Sequence, residues 1–318
     1  MTGLTLLGLQ ASVQDKAAFN TLADYSRLCQ AFLELVERTQ PTRIVSPTHN
    51  NYIFYQYDEP HQYRITRPLN IDLFVESPSD FRAAFDRFVT FLSDIRRHQG
   101  AITEQRSANR YIESNEVNEV LYTTQQAIGS VGDSFENPNQ SRKRVGQLFE
   151  TLVKLTIQEV GLECEPRTIS IPIPGYPGYE MPYDLDLVFS RNKAIVAAET
   201  RFIHVTEIVG SVKTTSKDRI DKVFLDKYLL TKLLGREVPV VAIFLHDVQR
   251  ARKGKSIFGV NSTFKTNHFL GYTVALNRLD GVYYVDPRPQ MVANERLREQ
   301  ISDFQTFLVR DLWELSGG

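Results

Sequence analysis

The sequence predicts an α/β fold: a core over residues 131–318, with a central mixed β-sheet flanked by helices, preceded by an N-terminal α+β region over residues 1–130. Three observations point there. From residue 141 the periodicities run helix, strands, helix, strand, the order of layered α/β domains. Val238–Leu245 is an unbroken apolar run, as in a strand buried on both faces. Gly129 to Gln140 gathers Gly, Asp, Ser, Asn and Pro, the best candidate for a boundary between the two regions.

In chain order, residues 17–39 carry Phe19, Leu22, Leu28, Phe32, Leu33 and Val36 at helical spacing, and Pro41 stops them. Residues 43–57 and the stretch from Arg64 to Val75 read as strands. Ser79 or Asp80 caps a helix over 80–97, with an apolar face from Phe81 to Ile95 and Arg82, Arg87, Arg96 and Arg97 on the other. Residues 99–140 are polar, with one helix expected around 115–127. Then come a helix over 141–160, ended by Gly161, and a strand over 167–173. A Pro/Gly/Tyr turn over 174–182 leads to the strand Asp184–Phe189. Apolar runs follow at Ala194–Ala198 and Val205–Val212. A helix over 217–234 is stopped by Gly235.

Lys and Arg number 37 against 38 Asp and Glu, so any surface that meets a polyanion must be local. The two cysteines, Cys29 and Cys164, are far apart and lack metal-ligand spacing, which excludes a disulfide framework or a zinc site and suits a reducing cytoplasm. The apolar start, Met1 to Leu9, has no basic flank and is too short for a signal peptide or a membrane span. There is no Gly-rich phosphate loop, which weighs against a small-molecule phosphoesterase.

Three segments carry chemistry. Asp184 and Asp186 alternate on one strand, so with a period of two both point to one face. Ser211 and Lys213 share a face at the end of the next apolar run. Asp218 and Arg219 fall in the first turn of the following helix, with Asp226 seven residues on, along the same stripe. Taken singly, each has an ordinary structural reading: a solvated strand face, a lysine at a strand exit, a capped surface helix with a Lys222–Asp226 pair. Together they suit phosphodiester hydrolysis. Carboxylates hold Mg²⁺, a lysine beside them orients water and offsets developing charge, and an arginine at a helix start reads a guanine edge.

These residues resemble the PD-(D/E)XK nuclease superfamily, and more narrowly the type II restriction endonucleases that cut sites containing CCGG or CCNGG, the EcoRII/NgoMIV-like branch. The resemblance rests on Ser211-Val-Lys213-Thr-Thr-Ser216-Lys217-Asp218-Arg219 with Asp226 beyond it, the catalytic acid having migrated to the helix. It covers residues 141–245 and implies a restriction-endonuclease-like core. It also implies Mg²⁺ as cofactor, with Asp184 or Asp186 and Asp226 as metal ligands. Glu150, in Gly146-Gln-Leu-Phe149-Glu150, resembles the family's supporting acid on the early helix. Ser216, Lys217, Asp218 and Arg219 would contact double-stranded DNA. Two basic segments, Arg142-Lys-Arg144 and the loop bearing Arg250, Arg252, Lys253 and Lys255, suit phosphate contact. A homodimer, paired or not into tetramers, and a cognate DNA methyltransferase as functional partner are implied as well. Four departures stand out, one being that the region before residue 130 matches nothing in the family. Pro182 does not directly precede an Asp, so Asp186 is favoured as ligand because it opens Leu-Val-Phe. A long stretch before Lys213 leaves room for an extra strand bearing Glu199. Asp226 stands where a longer Glu is usual. The alternatives are a repair or mobile-element nuclease of the same fold, or a DNA-binding protein without catalysis. In the N-terminal region, His49, Asn50, Asn51, Tyr52, Tyr55 and Tyr57 read as a strand lining, and His246 as structural.

Overall fold

The computed structural model describes residues 5–56, 64–99, 114–192 and 202–317. Ala194–Ala198, Glu199 and Tyr57 lie outside the described residues. In chain order the elements are α1 (Leu6–Gln14), α2 (Leu22–Thr39), β1 (Thr42–Val45), β2 (Tyr52–Gln56), β3 (Arg64–Asn70), α3 (Pro78–Arg97), α4 (Glu116–Gly132), α5 (Pro138–Glu159), β4 (Glu163–Pro172), β5 (Glu180–Ser190) and β6 (Ile208–Thr215). They continue with α6 (Ile220–Leu234), β7 (Val240–His246), β8 (Val248–Lys253), β9 (Ser256–Ser262), α7 (Thr266–Ala275), β10 (Gly281–Tyr284), α8 (Pro289–Ala293), α9 (Glu295–Arg298) and β11 (Ile301–Asp303), before a helical segment over 304–316.

The chain forms two compact units that interleave in sequence. One takes Met1–Phe91, Asn115–Leu152 and Val248–Thr263; the other takes Leu92–Ser114, Val153–Asp247 and Phe264–Gly318. The expected loop at 129–140 shrinks to five residues between α4 and α5, and the helices on either side belong mostly to the first unit. The polar composition of α4 hid its position. Thr123, Thr124, Gln125 and Gln126 are buried. Thr123 Oγ1 accepts from Val75 N at 3.0 Å and donates to Leu73 O at 3.1 Å, and Gln125 Nε2 donates to Val145 O at 2.9 Å. Buried polar groups satisfied in this way read in a sequence like a surface helix. The first unit also holds the antiparallel sheet β1-β2-β3 and the hairpin β8–β9.

The second unit is built on a six-stranded mixed sheet in the order β11-β10-β7-β6-β5-β4. The pairs β4/β5 and β5/β6 are antiparallel, and the other three are parallel. β7 is central, and its apolar run is buried as expected. On one face α6 packs Val223, Phe224 and Leu230 against Val209, Val240, Ala242, Phe244 and Val282. Gly235 closes α6 at φ 67°, a left-handed position that only glycine adopts without strain.

The β4–β5 hairpin has two tandem Pro-Gly turns. Tyr176 N donates to Ile173 O and Tyr179 N to Tyr176 O, both at 3.1 Å, with Gly175 and Gly178 at φ 83° and 82°. Proline first and a positive-φ glycine second is the type II signature. The loop leading into β6 is held by a buried ion pair. Arg167 Nη1 and Nη2 meet Glu207 at 2.7 and 2.8 Å, with relative side-chain exposures of 5% and 0%. Arg167 also donates to Phe202 O at 2.6 Å, and Glu207 accepts from His204 N at 2.7 Å. Glu207→Ala strands a buried guanidinium, so unfolding by heat or denaturant is expected to show a loss of about 3–5 kcal/mol. A change below about 1 kcal/mol would refute the clamp.

Candidate active site

Strict alternation would put Asp184 and Asp186 on one face of β5. The structure separates them. Arg167 pairs with Leu185 and Glu165 with Val188, so two residue steps on β4 face three on β5. This bulge restarts the alternation: Tyr183, Leu185 and Val188 all enter the core under α6. Asp184 falls on the opposite face, where Thr168 Oγ1 donates to it at 2.8 Å. Asp186 emerges beside Leu185 on the α6 side. It reaches Ser211 and Lys213, which alternate with core residue Val209 on β6.

The ladder between β5 and β6 stops at Leu187 and Gly210. Beyond it the Asp186 side chain takes over the role of the backbone. Its Oδ2 accepts from Val212 N at 2.9 Å, Ser211 Oγ at 3.3 Å and Lys213 Nζ at 2.5 Å. Oδ1 receives none of these three bonds. The pair is only partly shielded, with Lys213 31% and Asp186 20% exposed.

Asp226 joins from α6. A cleft of about 80 Å³ is lined by Asp186, Ser211, Lys213, Arg219, Lys222 and Asp226, with Tyr183, Val223 and Leu230 as apolar wall; Asp184 borders it as well, although its carboxylate is engaged by Thr168. Arg219, Lys222, Val223, Asp226 and Leu230 follow the i, i+3, i+4, i+7 stripe of a helix, as the sequence spacing requires. Burial pushes the Asp226 carboxyl above the usual aspartate range. Lys222 pulls it down, Asp186 raises it further and Lys213 opposes that. Burial, and then the Asp226 charge, raise the Tyr183 phenol as well. Tyr183 and Lys222 are the contributors that motif reading missed as parts of a site. The i,i+4 spacing of Lys222 and Asp226 was the only signal for the lysine.

Among the described residues, no group of three or more His, Cys, Asp or Glu could by itself hold a metal ion. Two carboxylates are what a hard cation such as Mg²⁺ takes from protein when water and substrate phosphate complete its shell. Asp186 and Asp226, both half-buried and lining one cleft, fit that donor set.

The segment before α6 departs from expectation. Lys217 to Arg219 form an exposed turn, and the helix begins at Ile220 with Arg219 as its N-cap. Asp218 sits at φ 51°, a left-handed conformation that aspartate tolerates better than most residues. Ser216 is buried, 3% exposed, with its hydroxyl facing Tyr284. Its carbonyl accepts from Arg219 N and Ile220 N at 3.1 and 3.3 Å, so it caps the turn and presents no side chain for base contact.

In the first unit, Glu150 is half-buried on α5, and Arg142 is exposed near the start of that helix. Arg144 is already engaged: its guanidinium donates to Val13 O at 2.6 Å and Asp15 O at 2.7 Å and lies over the Phe19 ring. That fastens the N-terminal helix, in place of the expected phosphate contact. Arg252 is exposed on the β8–β9 hairpin.

The fold built around this site is the restriction-endonuclease fold. The crystal structure of the type IIP restriction endonuclease Kpn2I matches over 99% of this chain and 98% of its own, with a TM-score of 0.68 and 17% sequence identity. The restriction endonuclease PspGI–substrate DNA complex matches over 71% of this chain and 93% of its own, with a TM-score of 0.42 and 12% identity. No protein-family model matches the sequence, and no curated protein matches it. No helix among the described residues is long and apolar enough to cross a membrane.

Proposed function

We propose that this chain is a type II restriction endonuclease, a homodimer that cleaves double-stranded DNA at a palindromic site containing CCGG or CCNGG with Mg²⁺, alongside a cognate methyltransferase. The observation that carries the reading is the bulged Asp186, bonded to Lys213 and facing Asp226 across one cleft, on a fold shared with Kpn2I.

Asp186 and Asp226 are the residues that would hold Mg²⁺; Glu150 is proposed as a supporting acid on the resemblance of Gly146-Gln-Leu-Phe149-Glu150 alone. The ion, when bound, supplies Lewis acidity at a phosphate oxygen and makes bound water more acidic. Lys213 Nζ is fixed by Asp186 at 2.5 Å, where it can orient the attacking water. As that water's oxygen bonds to phosphorus, the P–O bond to the leaving strand breaks. The Lys213 ammonium offsets the charge that gathers on the phosphoryl oxygens. Val212 N and Ser211 Oγ hold the Asp186 carboxylate through the change. The Lys217–Arg219 turn presents Arg219 for bidentate contact with a guanine edge and Asp218 for a cytosine amine.

Incubation of the full-length protein with phage DNA and Mg²⁺ tests the reading. Discrete fragments are expected, and sequencing their ends gives the site. A smear would instead indicate a nonspecific nuclease, and intact but shifted DNA a binding protein. Arg219→Ala is expected to weaken binding to the cognate duplex by about 1–3 kcal/mol, about fivefold to 150-fold, and to change mixed-sequence binding little. Equal losses on both duplexes would remove Arg219 from base reading.

A further inference from the structure

We infer that the β8–β9 hairpin is an electrostatic arm that grips the phosphate backbone of duplex DNA. The inference rests on DNA being the substrate and adds a second, sequence-independent contact to it.

Arg250, Arg252, Lys253 and Lys255 are all exposed, and all four fall within six residues. In a chain of net charge -1, no Asp or Glu occurs between Asp247 and Asp280. None of the four cations forms an ion pair with a described carboxylate. Like charges so crowded repel one another, and no carboxylate among the described residues pairs with them.

The ribbon that carries them is nevertheless firmly built. Val248 and Val260 are buried against Tyr52 and Phe54 at its base. Thr48 Oγ1 accepts from Val260 N at 2.8 Å and donates to Val260 O at 3.1 Å, which pins β9. At the tip Gly254, at φ 59°, opens a two-residue turn with Lys255. At Gly259 a Cβ would stand 2.9 Å from Ala251 O, so the strands approach too closely there for a larger residue. A fixed ribbon loses little entropy when it binds.

The dimensions suit a nucleic-acid backbone. From Arg250 to Lys253 the strand advances about 10 Å at roughly 3.3 Å per residue, the axial length of about three phosphates of one DNA strand. Such contacts position a protein on the duplex without reading sequence.

The test is a salt titration. Full-length parent and the Arg250→Ala/Arg252→Ala/Lys253→Ala/Lys255→Ala variant are titrated against a mixed-sequence duplex of about 30 base pairs, without divalent metal, by fluorescence anisotropy. Each lost phosphate contact flattens the plot of log K against log salt by about 0.9. A slope shallower by about 2–4 is expected, with the preference for the cleavage site over mixed sequence unchanged. An unchanged slope overturns the arm even where the parent cuts DNA specifically. A parent that binds no duplex overturns the arm and the nuclease reading together. Should the fourfold variant misfold, Lys253→Ala/Lys255→Ala at the solvent-exposed tip is expected to flatten the slope by about 1–2, and no change there overturns the arm equally.

Discussion

Lys213→Ala is expected to slow DNA cleavage by about a thousandfold, the scale on which removal of a preorganised charge or donor acts, while binding of the cognate duplex stays within a few-fold. Lys213 Nζ is 2.5 Å from Asp186 Oδ2 and also acts on Asp226, whose carboxyl burial already holds above its usual range. Without the ammonium, the Asp186 and Asp226 carboxylates, with Asp184 at the border, keep Lys222 and Arg219 as the cations among the described residues of the cleft. The charge that offsets the transition state is gone as well. Single-turnover cleavage with enzyme in excess isolates the chemical step, and anisotropy without metal reports binding. Lys213→Arg keeps the charge but brings a planar fork in place of a compact ammonium, so it should recover little of the rate. Full cleavage by Lys213→Ala would sink the assignment.

Asp186→Asn and Asp184→Asn are expected to part company. The first keeps the side chain's shape and an oxygen to accept from Val212 N, but removes the charge beside Lys213. Cleavage should fall by about a thousandfold, with thermal stability near that of the parent. The second alters a carboxylate that faces Thr168 on the opposite face of β5. The loss of one exposed cross-strand contact is worth about 0.2–1 kcal/mol of stability, and cleavage should stay within about tenfold of the parent. Equal losses in rate would mean that both carboxylates serve the reaction and that the bulge does not choose between them.

How far the sequence could lead depended on the range of each interaction. Helix periodicity, the apolar run of β7 and the glycine stop of α6 are local patterns, and the structure has each nearly where the pattern puts it. The Lys213 and Asp226 spacings were legible because strand and helix geometry between neighbouring residues is fixed. What depends on contacts far apart in sequence was not legible. Asp-Leu-Asp-Leu reads as unbroken alternation, and only the pairing of β5 with β4 reveals the slipped register. Ser216 looked like a helix cap open to DNA, whereas Tyr284 of β10 helps bury it. Arg144 looked like a free cation, but the carbonyls of Val13 and Asp15, more than a hundred residues earlier, already occupy it.

The bulge in β5 also makes this strand sensitive to its length. Side chains there are assigned by phase: Tyr183 and Leu185 in step, Asp186 one beat early, Val188 back in step under α6. Removing Leu187 would cancel the slip. Leu185, the carboxylate at 186 and the former Val188 would then alternate regularly, which returns the acid to the side of Asp184 and keeps the valine on the core face with Leu185. A one-residue deletion that leaves every charged group in the chain would thus move the acid away from its lysine. In this strand the frame of the backbone is as much a determinant of the chemistry as the identity of any single residue.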